Sequence, residues 1–126
     1  MVGTARKRIA AGVALLVGAL HFVSGPGQDG PWAGFVNGYL IDLALPFSMY
    51  LLLGVVEARP WPSPAWRAAC VFGAAALVET LQYAGLPIFG RTFDPVDYLM
   101  YALGVGAAVL FEAFVVARHE RRESGR

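Results

Sequence analysis

Ionisable and amide side chains gather in residues 78–106, where one apolar run of this chain ends and the next begins. They are Glu79, Gln82, Arg91, Asp94 and Asp97. Carboxylates in apolar surroundings can bind a cation or move a proton, and a guanidinium can hold an anionic group or pair with a carboxylate. Because the acidic residues lie on both sides of Arg91, any such chemistry would be placed in and beside a single turn.

The composition indicates what must position these side chains. Of the 126 residues, 57% are hydrophobic and only 15% are charged, which is too apolar for an ordinary soluble domain. Basic residues cluster near both ends of the chain, and long runs between them carry one charge or none. This pattern is typical of membrane spans. The net charge of +1 gives no reason to expect a nucleic-acid partner, and the single Cys70 excludes an internal disulfide and a thiolate zinc cluster.

Four apolar runs predict an all-α fold, a polytopic transmembrane bundle of four helices that forms one domain over residues 1–126. The helices are expected at about 9–23, 32–56, 65–84 and 95–117, separated by loops rich in proline and glycine. Asp94 and Pro95 predict the start of the last helix, as its N-cap and first helical residue. Gly104 and Gly106 in that helix would permit close contact with another helix.

The distribution of arginine and lysine predicts the orientation. Four spans place both ends of the chain on one side of a lipid bilayer, and the basic residues lie mainly at the two ends and in the second loop. The positive-inside rule therefore predicts cytoplasmic termini and a multi-pass protein of the cell membrane. Glu112, in the inner half of the last span, is expected to extend towards the cytoplasm near Arg118. The first run also has features of a cleavable signal peptide, whose removal would leave the other assignments unchanged.

Most other polar residues of the spans then lie in the outer half of the bilayer. Glu79 and Gln82 are three residues apart and share a helix face, and Asp97 lies one turn inside the last span. Asp42 lies near the middle of the second span, where Pro46 cannot donate a hydrogen bond to its carbonyl. A carboxylate at the centre of a span costs on the order of 2.5–3.5 kcal/mol, so such residues normally face the bundle interior. We predict an outward-facing pocket lined by Glu79, Gln82, Arg91, Asp97 and Asp42.

Two functions for this polar cluster stay open. The pocket would bind a lipid head group, a cell-envelope precursor or another small ligand such as a cation. Alternatively, Asp94 and Asp97 only cap a helix, and Arg91 with Glu79 or Asp97 only clamps the turn. The protein would then be a structural or accessory subunit that contacts a membrane partner or another copy through its helices. No metal or cofactor is predicted, and the lack of a nucleophile–histidine arrangement, an H-E-x-x-H pattern and a phosphate loop favours a non-enzymatic role.

The same stretch resembles the VanZ-like membrane proteins. The matching patterns are E-x-x-Q at Glu79 and Gln82, G-R at Gly90 and Arg91, and D-x-x-D at Asp94 and Asp97. Many VanZ-like proteins have asparagine at the position of Tyr101. The resemblance implies a helical membrane protein of poorly defined biochemistry, whose founding member is linked to low-level resistance to the glycopeptide teicoplanin.

A second group, the small membrane proteins of the DUF2809 type, is similar at Tyr101, the position where many VanZ-like proteins have asparagine. Its pattern F-x-x-x-D-x-x-x-Y-x-x-G is matched by Phe93, Asp97, Tyr101 and Gly104. This resemblance also implies a small integral membrane protein and names no ligand.

Overall fold

The computed structural model describes residues 3–23, 31, 33–56, 63–88 and 92–125. Within these ranges the fold contains four helices and no strand, which confirms the all-α prediction. Helix α1 is Thr4–Val23 and α3 is Pro64–Tyr83. Helix α2 covers residues 33–53 and consists of Ala33–Phe35, a π-helical turn at Val36–Leu40, and Ile41–Leu53. Helix α4 runs over Pro95–Ser124, with a π-helical turn at Glu112–Val116.

Helices α1 and α4 are longer than the sequence predicts, and they meet at their extra turns. The expected bounds of 9–23 and 95–117 become Thr4–Val23 and Pro95–Ser124. The Arg6 guanidinium bonds to Glu120 with an Nε–Oε1 distance of 2.9 Å, and the Ala5 backbone N–H donates to Glu123 at 2.9 Å. These contacts join the start of α1 to the end of α4. They give Arg6, Glu120 and Glu123 partners that these charged groups would lack if the two ends lay apart.

Two helices begin with a side-chain cap followed by proline. Asp94 has extended backbone angles, and its Oδ1 accepts the Val96 N–H at 2.9 Å, with Pro95 as the first helical residue. Ser63 caps α3 in the same way, before Pro64. The cap satisfies a backbone donor that has no partner within the helix, and proline has no N–H to leave unpaired. Local sequence therefore sets the points at which α3 and α4 begin.

The most extensive contact between helices joins α2 and α4, while α1 packs on α2, and α3 packs on both α2 and α4. At the α2–α4 contact, a Cβ atom added to Gly104 would overlap the carbonyl oxygen of Leu43. The backbones of the two helices meet there because glycine has no side chain. A Cβ atom at Gly106 would have no described atom within 4 Å, so of these two glycines only Gly104 permits a close approach.

The interior is small and partly polar, whereas the outer surface is strongly apolar. The buried core cluster consists of Ala10, Tyr50, Leu51, Val71, Val105 and Ala108. Arg67, Glu79 and Glu112 are buried as well. Large apolar side chains are exposed on every helix, among them Leu15, Leu52, Leu77 and Phe114. Soluble monomers seldom expose apolar surface on this scale.

Two helices in the described ranges are long and apolar enough to cross a membrane. They are Val36–Leu53 within α2 and Pro95–Ser124, which is α4. Helices α1 and α3 do not meet the same criteria of length, mean hydropathy and charge. Both carry charged residues within the helix, Arg6 to Arg8 in α1, and Arg67 and Glu79 in α3.

Candidate functional site

A cavity of about 890 Å³ lies between α2, α3 and α4, near the turn that joins α3 to α4. Its polar lining includes Asn37, Asp42, Glu79, Gln82, Asp94 and Asp97. Its apolar lining includes Leu45, Pro46, Met49, Ala74, Ala75 and Val78. The structure therefore brings four of the five residues predicted for a polar pocket around one cavity. Arg91, the fifth, lies outside the described residues.

Glu79 joins the end of α3 to the start of α4. Its side chain is almost completely buried, with 1% of the residue exposed. Its Oε1 accepts the backbone N–H of Asp94 at 2.7 Å, and its Oε2 accepts the Tyr101 hydroxyl at 3.3 Å. Hydrogen bonds to a carboxylate are stronger than those between neutral groups and offset part of its desolvation. Glu79 is thus bound by a backbone amide and a phenol in the described part of the chain.

Further side chains hold the same turn. The Gln82 amide donates to the carbonyl oxygen of Ile88 at 2.8 Å. The hydroxyl groups of Thr80 and Tyr98, on α3 and α4, are 2.8 Å apart and share a hydrogen bond. Part of the polar cluster predicted from the sequence therefore fixes the turn between the helices.

Asp42 and Asp97 are placed differently from Glu79. They line the same cavity from two different helices, Asp42 from α2 and Asp97 from α4. Neither forms an ion pair with any residue in the described ranges. The helices that carry them are brought together at the neighbouring contact between Leu43 and Gly104. No group of three or more His, Cys, Asp or Glu side chains suited to a metal ion is present among the described residues.

Asp42 lies between two interruptions of regular helical hydrogen bonding. Before it, Val36–Leu40 forms a π-helical turn that ends where the Ile41 N–H bonds to the Val36 carbonyl. After it, Pro46 is buried within the helix and has no N–H to donate to the carbonyl of Asp42. Turns of the π type add one residue to a helix and occur often at functional sites.

A second polar cluster, near the chain termini, is not predicted by the sequence analysis. Glu112 is only 6% exposed, and both of its carboxylate oxygens accept from Arg67 Nη2 at 2.8 Å. Arg6 Nη1 and the Tyr50 hydroxyl also donate to Glu112. The expectation that Glu112 extends towards Arg118 is therefore wrong, because a buried carboxylate gains more from two guanidinium groups within the bundle.

The position of Arg67 depends on a glycine. Arg67 is 7% exposed, and its guanidinium carbon lies 4.7 Å from the centroid of the Tyr50 ring. A Cβ atom added to Gly54 would overlap Arg67 Nη1 and would lie 3.1 Å from Arg6 Nη1. The end of α2 thus leaves space for both guanidinium groups. Hydrogen bonds to Glu120 and then to Glu112, opposed by burial, raise the pKa of Arg6 above its usual value, so Arg6 stays cationic.

One signal in the sequence could have identified this second cluster. Arg67 and Glu112 lie at similar distances along the chain from the turn between α3 and α4, Arg67 before the turn and Glu112 after it. Consecutive antiparallel helices bring such positions to the same level of a bundle, and buried opposite charges are normally paired. No partner for Arg67 is predicted from the sequence.

A comparison of this chain with known protein families, with characterised proteins and with solved structures finds no match. What the protein does must therefore be inferred from its own residues.

Proposed function

We propose that the chain is a multi-pass protein of the cell membrane, with four spans and cytoplasmic termini, and that its outward-facing cavity binds a small ligand. Large apolar side chains point outwards from all four helices, while charged groups are buried between them. This distribution suits a lipid solvent. The start of α1 contacts the end of α4, which suits an even number of spans because both termini then lie on one side of the bilayer, and basic residues are concentrated there.

The carboxyl pair of Asp42 and Asp97 is the observation that carries the binding proposal. Glu79 and Gln82 have partners in the turn between α3 and α4, so the stability of that turn accounts for them. Asp42 and Asp97 line one cavity, and neither forms an ion pair with a described residue. Ionised carboxylates that line one cavity repel each other, and either a proton or a bound cation reduces the repulsion. An arrangement that costs stability in the free protein is typical of a ligand site.

The cavity lining favours a particular class of ligand. Asp42, Asp94 and Asp97 contribute carboxyl groups, and no described residue of the lining is basic. Met49 and Val78 belong to its apolar wall. Cavities of about 300–1,000 Å³ bind drug-sized molecules, and this one, at about 890 Å³, is of that size. We infer an amphipathic ligand with a cationic or hydrogen-bond-donating head, such as a lipid head group or a cell-envelope precursor. The resemblance of the turn between α3 and α4 to the VanZ-like membrane proteins is part of the same proposal.

The test uses isosteric amides at the two cavity carboxylates. Asp42→Asn and Asp97→Asn are compared with Asp94→Asn, which removes a charge from the same cavity but keeps the helix cap, because asparagine caps as well as aspartate. The purified protein is titrated with tetraphenylphosphonium, a lipophilic monocation, by calorimetry. The wild type and Asp94→Asn are expected to bind it. Loss of a charged interaction worth about 1.5–3 kcal/mol should weaken binding by Asp42→Asn and Asp97→Asn by about tenfold to a hundredfold.

The thermal midpoint distinguishes binding from a purely structural role. If Asp42 and Asp97 are retained for a ligand, replacing either should leave the midpoint of the free protein unchanged or raise it.

The alternative is a structural or accessory subunit whose polar cluster only clamps the turn, and the backbone partners of Glu79 and Gln82 favour it. That alternative predicts a lower midpoint in both variants and no binding of the cation by the wild type.

A further inference from the structure

A second concave surface, of about 520 Å³, lies on the last turns of α4. It is lined by Ala113, Phe114, Arg118, Arg121 and Arg122, which together are called the arginine surface below. The three arginines are spaced at i, i+3 and i+4, so they share one face of the helix. Arg121 Nε also donates to the carbonyl of Ala117 at 3.3 Å, which holds this side chain along the helix.

The arginine surface has no acidic counter-charge of its own. The acidic residues of the same helical segment, Glu120 and Glu123, bond to Arg6 and to the backbone N–H of Ala5 on α1. None of the three arginines forms an ion pair with a residue in the described ranges. The end of α4 is therefore divided into an acidic face that contacts α1 and a cationic face with no acidic partner among the described residues.

Towards the middle of α4 the same side of the helix becomes apolar. Phe114 lies one turn before Arg118 and is 72% exposed, and Leu110 lies a turn further and is 59% exposed. A helix with exposed apolar residues followed by a cluster of arginines matches the boundary between acyl chains and phosphates in a bilayer. Basic clusters at this level bind the head groups of anionic lipids.

We propose that the arginine surface binds the phosphate head group of an anionic phospholipid of the cytoplasmic leaflet, with an acyl chain lying against Phe114 and Leu110. A guanidinium matches phosphate in geometry and can donate two parallel hydrogen bonds to it. The inference rests on the membrane part of the proposed function, but it concerns the end of the bundle opposite the outward cavity. It does not depend on what that cavity binds.

The test compares two double variants that each remove two positive charges from the same end of the bundle. Arg118→Gln with Arg122→Gln alters the arginine surface. Lys7→Gln with Arg8→Gln alters exposed residues of α1 and is the control. Phosphatidylglycerol binding to the full chain is measured by native mass spectrometry, with phosphatidylcholine as the neutral reference. Each arginine that donates hydrogen bonds to the head-group phosphate should contribute about tenfold or more, so the first variant should lose about a hundredfold in affinity. The control should retain most of the affinity.

Two results would overturn the site. Equal losses in both double variants would mean that the lipid responds only to the overall positive charge of this end. Equal binding of phosphatidylglycerol and phosphatidylcholine by the wild type would mean that no anionic head group is recognised.

A separate measurement tests the membrane assignment. If that assignment is wrong, the wild type will not float with phosphatidylcholine vesicles. Both variants should keep the wild-type thermal midpoint in phosphatidylcholine, which excludes misfolding as the cause of a loss.

Discussion

The backbone contact between α2 and α4 can be tested with two identical substitutions in one helix. A Cβ atom at Gly104 would overlap the Leu43 carbonyl oxygen and would lie 3.1 Å from its carbonyl carbon and 3.3 Å from its Cα. All three are backbone atoms, so no side chain can rotate away and one helix must move. Two residues later, Gly106 has open space around the corresponding position. Gly104→Ala and Gly106→Ala therefore differ in packing, although the chemical change is the same.

The expected magnitude follows from two opposing effects. Alanine stabilises a helix relative to glycine by about 1 kcal/mol, and this gain is common to both variants. Forcing an extra carbon into a packed interface typically costs about 1–3 kcal/mol, and only Gly104→Ala has this cost. The difference between the two variants in free energy of unfolding should therefore be about 1–3 kcal/mol, with Gly106→Ala the more stable. Gly104→Ala should also weaken cation binding, because the displaced Leu43 neighbours Asp42.

The assay is reversible unfolding in mixed detergent micelles as the fraction of sodium dodecyl sulfate increases, followed by circular dichroism. Both variants are measured in the same micelles as the wild type, so the effect of the detergent on the free energy of unfolding is common to all three proteins. If Gly104→Ala proves as stable as Gly106→Ala, the backbones of α2 and α4 do not meet at this position. Their contact would then not be what positions the helices that carry Asp42 and Asp97.

Other predictions concern the two polar clusters and use the same unfolding assay. Glu112→Gln should destabilise the protein by about 3–5 kcal/mol, because Arg67 would be left buried against a neutral amide. Glu120→Gln should cost less than about 1 kcal/mol, since the Glu120 side chain is 27% exposed; equal costs for these two variants would contradict the buried ion pair. Glu79→Gln should lower the free energy of unfolding by about 1–3 kcal/mol, because an amide group cannot accept both of the hydrogen bonds that the carboxylate accepts. An unfolding midpoint equal to that of the wild type would mean that these hydrogen bonds do not stabilise the turn between α3 and α4. Asp94→Ala should cost about 1 kcal/mol through loss of the N-cap, and Asp94→Asn should cost little.

Local rules predict much of the fold and part of the candidate site. Asp94 followed by Pro95 marks the start of α4, because a cap and a proline satisfy the needs of the first turn with neighbouring residues. The long apolar runs predict helices, although α1 and α4 extend beyond them into charged residues that pair with each other. The spacing of Glu79 and Gln82 and the positions of Asp42 and Asp97 also predict that polar groups lie around one cavity.

The sequence by itself determines that the apolar runs are helical, where α4 begins, and that several carboxylates must be placed in apolar surroundings. Only the tertiary structure decides which groups those carboxylates meet. Glu112 bonds to Arg67, 45 residues away, and Glu79 bonds to the backbone of Asp94. The physical reason is that side chains within one helix interact over about four residues, whereas partners on different helices depend on how those helices cross. That crossing depends on features such as the contact of Gly104 with Leu43. The sequence shows that Gly104 and Gly106 permit a close approach, but not which of them is used or which residue it meets.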